Sequence, residues 1–153
     1  MKIASFLLVF LYVQVSIAAE QYSISYDPKR DPFADGRAAI ALATKTNRRI
    51  LIEVGGDWCK WCHLLNNFIN TDPLIRKERD KIFVVLKVNV SDENSNEKFL
   101  ASFPNIQGYP HMFVTESNGD VIHSQDTAKF LQNSKYSKEK ILSFINKWKV
   151  NSQ

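Results

Sequence analysis

The residues with the clearest chemical potential are Cys59 and Cys62, the only two cysteines in the chain. They lie in the stretch GGDWCKWCHLL, with His63 directly after the second cysteine. Two cysteines at this spacing can form a redox-active dithiol, supply half of a zinc site or close a small structural disulfide. With the histidine they also spell C-x-x-C-H, the attachment motif of a c-type haem. The rest of the sequence has to discriminate among these four kinds of chemistry.

The N-terminal residues MKIASFLLVFLYVQVSIAA have the layout of a secretory signal peptide, with one positive charge, an apolar run and small residues at the end. We expect cleavage after Ala18 or Ala19, so that residues 1–19 are removed and residues 20–153 form a single domain. An uncleaved membrane anchor is the alternative, but Gln14 and Ser16 interrupt an apolar run that is already short for a span. The predicted protein is exported: periplasmic if the source is bacterial, and secreted otherwise.

Export places the two thiols in an oxidising compartment, where disulfides form readily. A Cys59–Cys62 bridge would close a loop too short to be an effective staple, since the chain-entropy relation gives about 2 kcal/mol for it and about 4.7 kcal/mol for a hundred-residue loop. Zinc needs about four ligands, and His63 or His111 would complete the set poorly. A haem usually needs a second axial ligand, and Met112 is the only methionine after the predicted signal peptide. We therefore predict no cofactor and no metal, and favour a redox dithiol.

Several elements are predicted ahead of the cysteines. Residues 21–26 (QYSISY) alternate in polarity and are compatible with an edge strand. The alanine-rich stretch from Phe33 to Lys45 predicts a helix, with Asp31 and Pro32 suited to its cap and first turn. RRILIEVGG then predicts a buried strand that ends at the Gly-Gly pair.

A helix is predicted directly after the first cysteine, because apolar residues recur there at helical spacing: Trp61, Leu64, Leu65, Phe68 and Ile69. This places Cys59 at or just before the first turn and Cys62 one turn inside. A break at 71–73 restarts a second, short helix. Residues 81–90 (KIFVVLKVNV) then predict a strand with β-branched residues on both faces, which favours a central position in the sheet.

The remaining pattern completes a mixed α/β domain. We predict a helix near 96–103, a strand entered through GYPHMFVT, a turn at Asn118-Gly119 and a final amphipathic helix capped by Ser137. That helix carries Ile141, Phe144, Ile145 and Trp148 on one face. The predicted order is β, α, β, α, β, α, β, β, α, which indicates a central mixed sheet with helices on both faces.

This order and the local motifs resemble the thioredoxin fold over about residues 33–148, and most of all the exported thioredoxin-like proteins with a DWCxWC site. ILIEVGGDWCKWC resembles the strand, turn and active-site motif, and GYP resembles the cis-proline loop, in which Pro110 would face the dithiol. Glu53 stands six residues before Cys59, where thioredoxins carry a buried aspartate, and Lys87 falls where they carry a strand lysine. The sequence departs from the commonest family pattern between the cysteines, where it has Lys60-Trp61 in place of Gly-Pro.

The resemblance implies a thiol–disulfide oxidoreductase. Cys59, at a helix N-terminus that favours its thiolate, would attack a substrate disulfide, and Cys62 would then release the product. Glu53 would accept the proton of Cys62, and Lys87 would moderate the basicity of Glu53. The expected substrate contacts are Trp58, Trp61, Tyr109 and Pro110.

The implied partners are proteins that carry disulfides or thiols, with a membrane protein as the source of electrons if the reaction is a reduction. Reductase or isomerase activity is favoured over oxidase activity, because an acid near the buried cysteine is typical of the reducing members. Lysines and arginines are scattered among acids and give a net charge of only +4, so no nucleic-acid partner is predicted. We expect a monomer. The alternative is a non-catalytic binding module or chaperone that holds clients in the Pro110 groove.

Overall fold

The computed structural model describes residues 22–149. The predicted signal peptide and its cleavage point lie outside the described residues. Within residues 22–149, the helices are too short or too polar to cross a membrane.

The first helix, α1 (Pro32–Thr46), begins and ends with side chains and backbone suited to those positions. The Asp31 carboxylate caps it by accepting a hydrogen bond from the backbone N–H of Phe33, and Pro32 occupies the first turn. Asn47 ends it in the left-handed conformation, at φ 51°. The predicted start of this helix is thus confirmed, and the chain passes directly into β1 (Arg49–Gly55), which is buried almost throughout.

Two helices follow the first strand, α2 (Lys60–Thr71) and α3 (Pro73–Ile82). Asp72 lies between them and accepts hydrogen bonds from the backbone of Leu74 and Ile75, so the predicted break and restart are both present. Strand β2 (Phe83–Asn89) then runs parallel to β1, as a connection through helices allows.

The second half of the domain is antiparallel. Its elements are α4 (Glu97–Leu100), β3 (His111–Thr115), β4 (Val121–Asp126), a 3₁₀ turn at Thr127–Phe130, the short strands β5 (Leu131–Gln132) and β6 (Lys135–Tyr136), and α5 (Lys138–Asn146). Gly119 supplies the positive φ of 95° that the predicted turn between β3 and β4 requires. Ser137 caps α5, as predicted.

The four longer strands form one mixed sheet in the order β2-β1-β3-β4, with β1 parallel to β2 and antiparallel to β3. Successive residues alternate between two apolar cores, one on each face. On one face, Leu51 and Met112 pack with residues of α2, α3 and α5. On the other, Ile52 and Phe113 pack with Ala39 and Ala43 of α1. The predicted α/β class, a mixed sheet with helices on both faces, is confirmed.

Three details of the prediction were wrong, and one pair of strands was missed. Residues 22–26 form no strand; a single backbone bond, from Lys87 N–H to the Ser23 carbonyl at 2.9 Å, ties them to β2. Strand β2 was expected at the centre of the sheet but lies at its edge. Its apolar residues are buried on both faces because α3 packs on one face and α1 on the other. The helix expected near 96–103 is only four residues long. The β5–β6 pair, which is too short for a hydrophobic pattern, was not predicted.

Candidate active site

The two cysteines form a disulfide at the N-terminus of α2, with their Cα atoms 5.2 Å apart. Cys59 is the N-cap residue, and its sulfur accepts a hydrogen bond from the backbone N–H of Cys62 at 3.2 Å. Cys62 lies within the first turn, against β1. Only 4% of Cys59 and 2% of Cys62 is exposed. The predicted placement relative to the helix is therefore confirmed, and in the disulfide form both cysteines are buried to nearly the same extent.

The loop that leads into the disulfide is anchored at both ends. The Trp58 indole N–H donates to the Val90 carbonyl at 2.6 Å, which ties the loop to the end of β2. The His63 Nε2 lies 2.7 Å from the Asp57 carbonyl, so the imidazole closes the loop back onto the helix. The histidine of the C-x-x-C-H motif thus has a local structural partner, and it holds in place the loop that carries Trp58.

An acid and a lysine form a buried pair on the face of the sheet against which α2 packs. Glu53 and Lys87 are opposite each other in the β1–β2 register, and the Lys87 Nζ lies 3.8 Å from a Glu53 carboxylate oxygen. The Glu53 side chain is buried, and only 9% of the Lys87 side chain is exposed. The Lys87 ammonium also donates to the Asn66 side-chain oxygen at 2.7 Å, which connects the pair to α2. Neither Glu53 nor Lys87 is therefore a solvated side chain on the surface of the sheet.

Gly55 connects that pair to the disulfide. It lies two residues after Glu53 and therefore on the same face of β1. A Cβ at Gly55 would stand 2.5 Å from the Cys62 sulfur and 3.1 Å from the Tyr26 ring carbon that bears the hydroxyl. Only glycine allows the strand backbone to approach the cysteine this closely.

Tyr26 is a member of the site that sequence reasoning missed. Only 6% exposed, it packs against Cys59 and Cys62 and places its ring 4.9 Å from the Lys87 ammonium. Burial raises the pKa of its hydroxyl far above the usual value, and the charge of Glu53 raises it further. Tyr26 therefore covers the acid–lysine pair and the disulfide from the side of the N-terminal segment.

The loop before β3 completes the surroundings of the disulfide. The Tyr109–Pro110 peptide bond is cis, and the Pro110 carbonyl accepts a hydrogen bond from the Thr127 hydroxyl at 2.5 Å. His111 follows it but points to the α1 side of the sheet, where its ring packs on Phe113 and its Nε2 bonds to the Ser124 hydroxyl at 2.8 Å. Burial lowers the pKa of His111. The side chain of this histidine is thus separated from the dithiol by the sheet.

Two pairs of aromatic rings flank the disulfide, each in edge-to-face contact. Trp58 contacts Tyr109 at a centroid distance of 5.6 Å, and Trp61 contacts Tyr136 at 5.8 Å. The two tryptophans are nevertheless 61% and 41% exposed. The predicted apolar stripe of α2 was thus too wide: its buried positions are Cys62, Leu65 and Ile69, and Trp61 faces the surface.

Residues 31–117, more than half of the chain, match the model of a family described as thioredoxin-like. The chain belongs to the thioredoxin-like family. The matched region contains the whole sequence from the cap of α1 to the end of β3, including both cysteines and Pro110.

Individual thioredoxin-like relatives agree with this assignment. The thiol:disulfide interchange protein DsbD of Tatumella citrea is 23% identical over 95 residues, which cover 62% of this chain but only 16% of that protein. The crystal structure of a disulphide isomerase from Xylella fastidiosa Temecula1 superposes with a TM-score of 0.68 at 26% identity, covering 80% of this chain and 94% of the other. The C-terminal domain of Neisseria meningitidis DsbD, in the oxidised form, shares the fold with a TM-score of 0.56 at 16% identity, covering 78% of this chain and 97% of the other.

The predicted residues of this thioredoxin-like site are brought together by the fold. They lie in three groups: the disulfide with its two tryptophans, the buried pair Glu53 and Lys87, and the loop of Tyr109 and Pro110. The residues that were missed are Tyr26, Asn66 and Tyr136. Asn66 lies one turn after Cys62, so helical spacing could have indicated it. No local pattern could have placed Tyr26 or Tyr136 here, because both reach the site from segments distant in sequence.

Proposed function

We propose that this protein is a thiol–disulfide oxidoreductase that exchanges the Cys59–Cys62 disulfide with disulfides or thiols of protein substrates. The observation that carries the proposal is a disulfide at a helix N-terminus, next to the paired side chains of Glu53 and Lys87 and flanked by two exposed tryptophans. The names of the relatives, a thiol:disulfide interchange protein and a disulphide isomerase, support the same class of reaction.

In the reducing direction, the reaction begins with the dithiol. The Cys59 thiolate attacks one sulfur of a substrate disulfide, forming a mixed disulfide and releasing the other sulfur as a thiolate. Cys62 then loses its proton and attacks the Cys59 sulfur, which releases the second substrate thiolate and forms the Cys59–Cys62 disulfide. Two electrons pass from the protein to the substrate, and the reverse sequence oxidises a substrate dithiol.

The positions of the two sulfurs support these roles. Cys59 caps the helix, where backbone N–H groups and the helix dipole stabilise a thiolate, and its sulfur already accepts one such N–H. The positive charge of Lys60 acts in the same direction. Cys62 lies inside the turn, between α2 and β1, where its sulfur can reach and attack the sulfur of Cys59.

We assign Glu53 as the group that accepts the proton of Cys62. It lies on the same face of β1 as Gly55, which borders the Cys62 sulfur. Lys87 stabilises the charged carboxylate, and Asn66 and the Tyr26 ring hold the ammonium in place.

The substrate segment is expected to lie along the Pro110 loop. Within residues 22–149, the backbone groups of Gly108 and Tyr109 form no hydrogen bonds, so they can pair with an added extended strand. Trp58 and Trp61 supply exposed apolar contacts on either side of the disulfide.

We infer a reducing or isomerising role, since a buried acid beside the second cysteine assists release of the mixed disulfide. The N-terminal sequence supports export, and an exported reductase requires a membrane protein that supplies electrons. We propose that the protein acts as a monomer.

Trapping experiments test this function. Cys62→Ser removes the resolving thiol and should accumulate mixed disulfides with client proteins in the exported compartment, whereas Cys59→Ser, the matched control, should trap none. Alkylation of the reduced parent near neutral pH should label Cys59 first.

The purified protein should also reduce insulin disulfides when dithiothreitol supplies electrons. A folded, reduced sample that binds clients without turnover would instead identify a non-catalytic binding module or chaperone.

A further inference from the structure

The β5–β6 hairpin forms one wall of the site, and it lies outside the part of the chain that matches the family model. That match ends at residue 117, whereas the hairpin spans Leu131–Tyr136. Tyr136 places its ring edge-to-face on Trp61, contacts Phe68 at a centroid distance of 6.2 Å and approaches the Trp61 carbonyl with its hydroxyl at 3.4 Å. These three contacts with Trp61 and Phe68 of α2 hold the ring of Tyr136 beside the helix.

Between this wall and the Pro110 loop lies a groove of about 310 Å³. Most of its lining is apolar or aromatic: Trp61, Tyr109, Pro110, Ala128, Leu131 and Tyr136. Among the described residues that line it, Asp126 alone is charged. The groove can therefore hold one or two large side chains and offers no cation to a negatively charged one.

We propose that the β5–β6 hairpin makes the protein select substrate segments with a bulky apolar side chain next to the exchanging cysteine, through the wall formed by Trp61 and Tyr136. This inference rests on the proposed function. The occupant is an extended segment of a substrate protein, since the free backbone groups of Gly108 and Tyr109 lie at the rim of the same groove.

The same lining disfavours a small anionic disulfide. Glutathione disulfide carries four carboxylates, and no cation lines this groove among the described residues to pair with them. The carboxylate of Asp126 repels such a ligand and equally repels an acidic residue of a peptide. Apolar segments of this kind are buried in folded proteins, so unfolded or misfolded chains are the substrates that present them.

The test compares symmetric disulfide-linked peptide dimers that differ only in the residue before the cysteine, which is leucine, alanine or glutamate. Their reduction by the dithiol form is followed by rapid acid quench and chromatography. We expect the leucine peptide to react about 10-fold faster than the alanine peptide, the low end for a hydrophobic pocket because this groove is open on one side. The glutamate peptide and glutathione disulfide should be slower than the alanine peptide.

Tyr136→Ala should reduce the leucine-to-alanine ratio to about 3-fold or less, and Tyr136→Phe should retain it. Lys135→Ala is the matched control, because Lys135 lies in the same hairpin, is exposed and does not line the groove. It should keep both the ratio and the rates of the parent. Asp126→Asn should accelerate the glutamate peptide about 3-fold relative to alanine.

Equal rates for the three peptides with the parent protein would overturn the inference while leaving the exchange function intact. So would a ratio that survives in a folded Tyr136→Ala variant. Failure of the parent to react even with the uncharged disulfide 2,2′-dithiodipyridine would instead contradict the proposed function itself.

Discussion

Gly55 offers the sharpest test of how the strand supports the disulfide. In Gly55→Ala, the new methyl carbon would stand 2.5 Å from the Cys62 sulfur and 3.1 Å from the hydroxyl and adjacent ring carbon of Tyr26. Carbon and sulfur in contact need a separation nearer to 3.5–4 Å, so one of the groups must move by about 1 Å. The disulfide limits that movement, because the Cys62 sulfur is bonded to Cys59.

The expected magnitude follows from the cost of inserting a methyl group into a packed core, about 1–3 kcal/mol. Replacing glycine in a strand recovers about 0.5–1 kcal/mol of chain entropy, which leaves a net loss of about 1–2 kcal/mol for the disulfide form. In the dithiol form, the Cys62 side chain can rotate away and relieve the contact. The substitution should therefore favour reduction and raise the reduction potential by about 20–40 mV, since 30 mV corresponds to about 1.4 kcal/mol for two electrons.

The assay is a redox titration against dithiothreitol buffers, combined with denaturant unfolding of the oxidised and reduced forms. Gly108→Ala is the matched control, because it lies in the loop before Pro110 and a Cβ there would have no neighbour within 4 Å. We expect this control to leave the potential unchanged and to alter the unfolding free energy by less than about 0.5 kcal/mol.

A Gly55→Ala variant with the parental potential and the same stability as Gly108→Ala would refute the argument. A potential that falls would refute it equally, because it would mean that the contact is worse in the dithiol form.

The remaining predictions concern three other positions. Glu53→Gln should leave attack by Cys59 nearly unchanged but slow release of the mixed disulfide by up to about 100-fold near pH 7; quenched-flow kinetics would show the defect shrinking toward pH 8.5, and parental release rates from pH 6 to 8 would exclude Glu53 as the base. Gly36→Ala should raise the unfolding free energy by about 0.5–1 kcal/mol in urea titrations, because the added methyl would lie at an ordinary 3.8 Å from Phe99; destabilisation would contradict this. Burial lowers the pKa of His111 below its ordinary 6.5, so the unfolded chain binds the extra proton first and the parent loses stability as pH falls below about 6.5. Relative to His111→Gln, that loss should reach at most about 1.4 kcal/mol by pH 5.5; parallel stability–pH curves for the two proteins would rule it out.

The sequence was most informative where local chemistry determines local structure. Asp31 and Ser137 are side-chain caps, and the Cys59 position follows from the helical spacing of the residues after it. Asn118-Gly119 identified its turn because few residues other than glycine tolerate the positive φ found there. In these cases, the residues that fix the conformation are neighbours in the chain.

Predictions failed where the deciding contact is distant in sequence. The β-branched residues of β2 indicated that both faces of the strand are buried. Helices packed on the sheet bury both faces of an edge strand as well as those of a central strand, so this pattern could not distinguish the two positions. The helical spacing placed Trp61 on the apolar stripe of α2, but could not show that its ring contacts Tyr136, 75 positions later. Tyr26 was assigned to a strand because residues 21–26 alternate in polarity. That alternation carries no information about what the segment packs against, so the contact of Tyr26 with the cysteines could not be predicted.

The segment from Tyr22 to Tyr26 has a consequence for the behaviour of the protein in a crowded solution. Strand β2 is an edge, and an exposed edge can pair with the strand of another molecule and begin aggregation. The bond from Lys87 N–H to the Ser23 carbonyl occupies part of that edge, while Tyr26, three residues later, covers the disulfide. Protection from self-association and the environment of the cysteines are thus linked through one short stretch of backbone. If the segment from Tyr22 to Tyr26 detaches from β2, the cysteine sulfurs become exposed, and the freed edge of β2 can pair with a second copy of the protein.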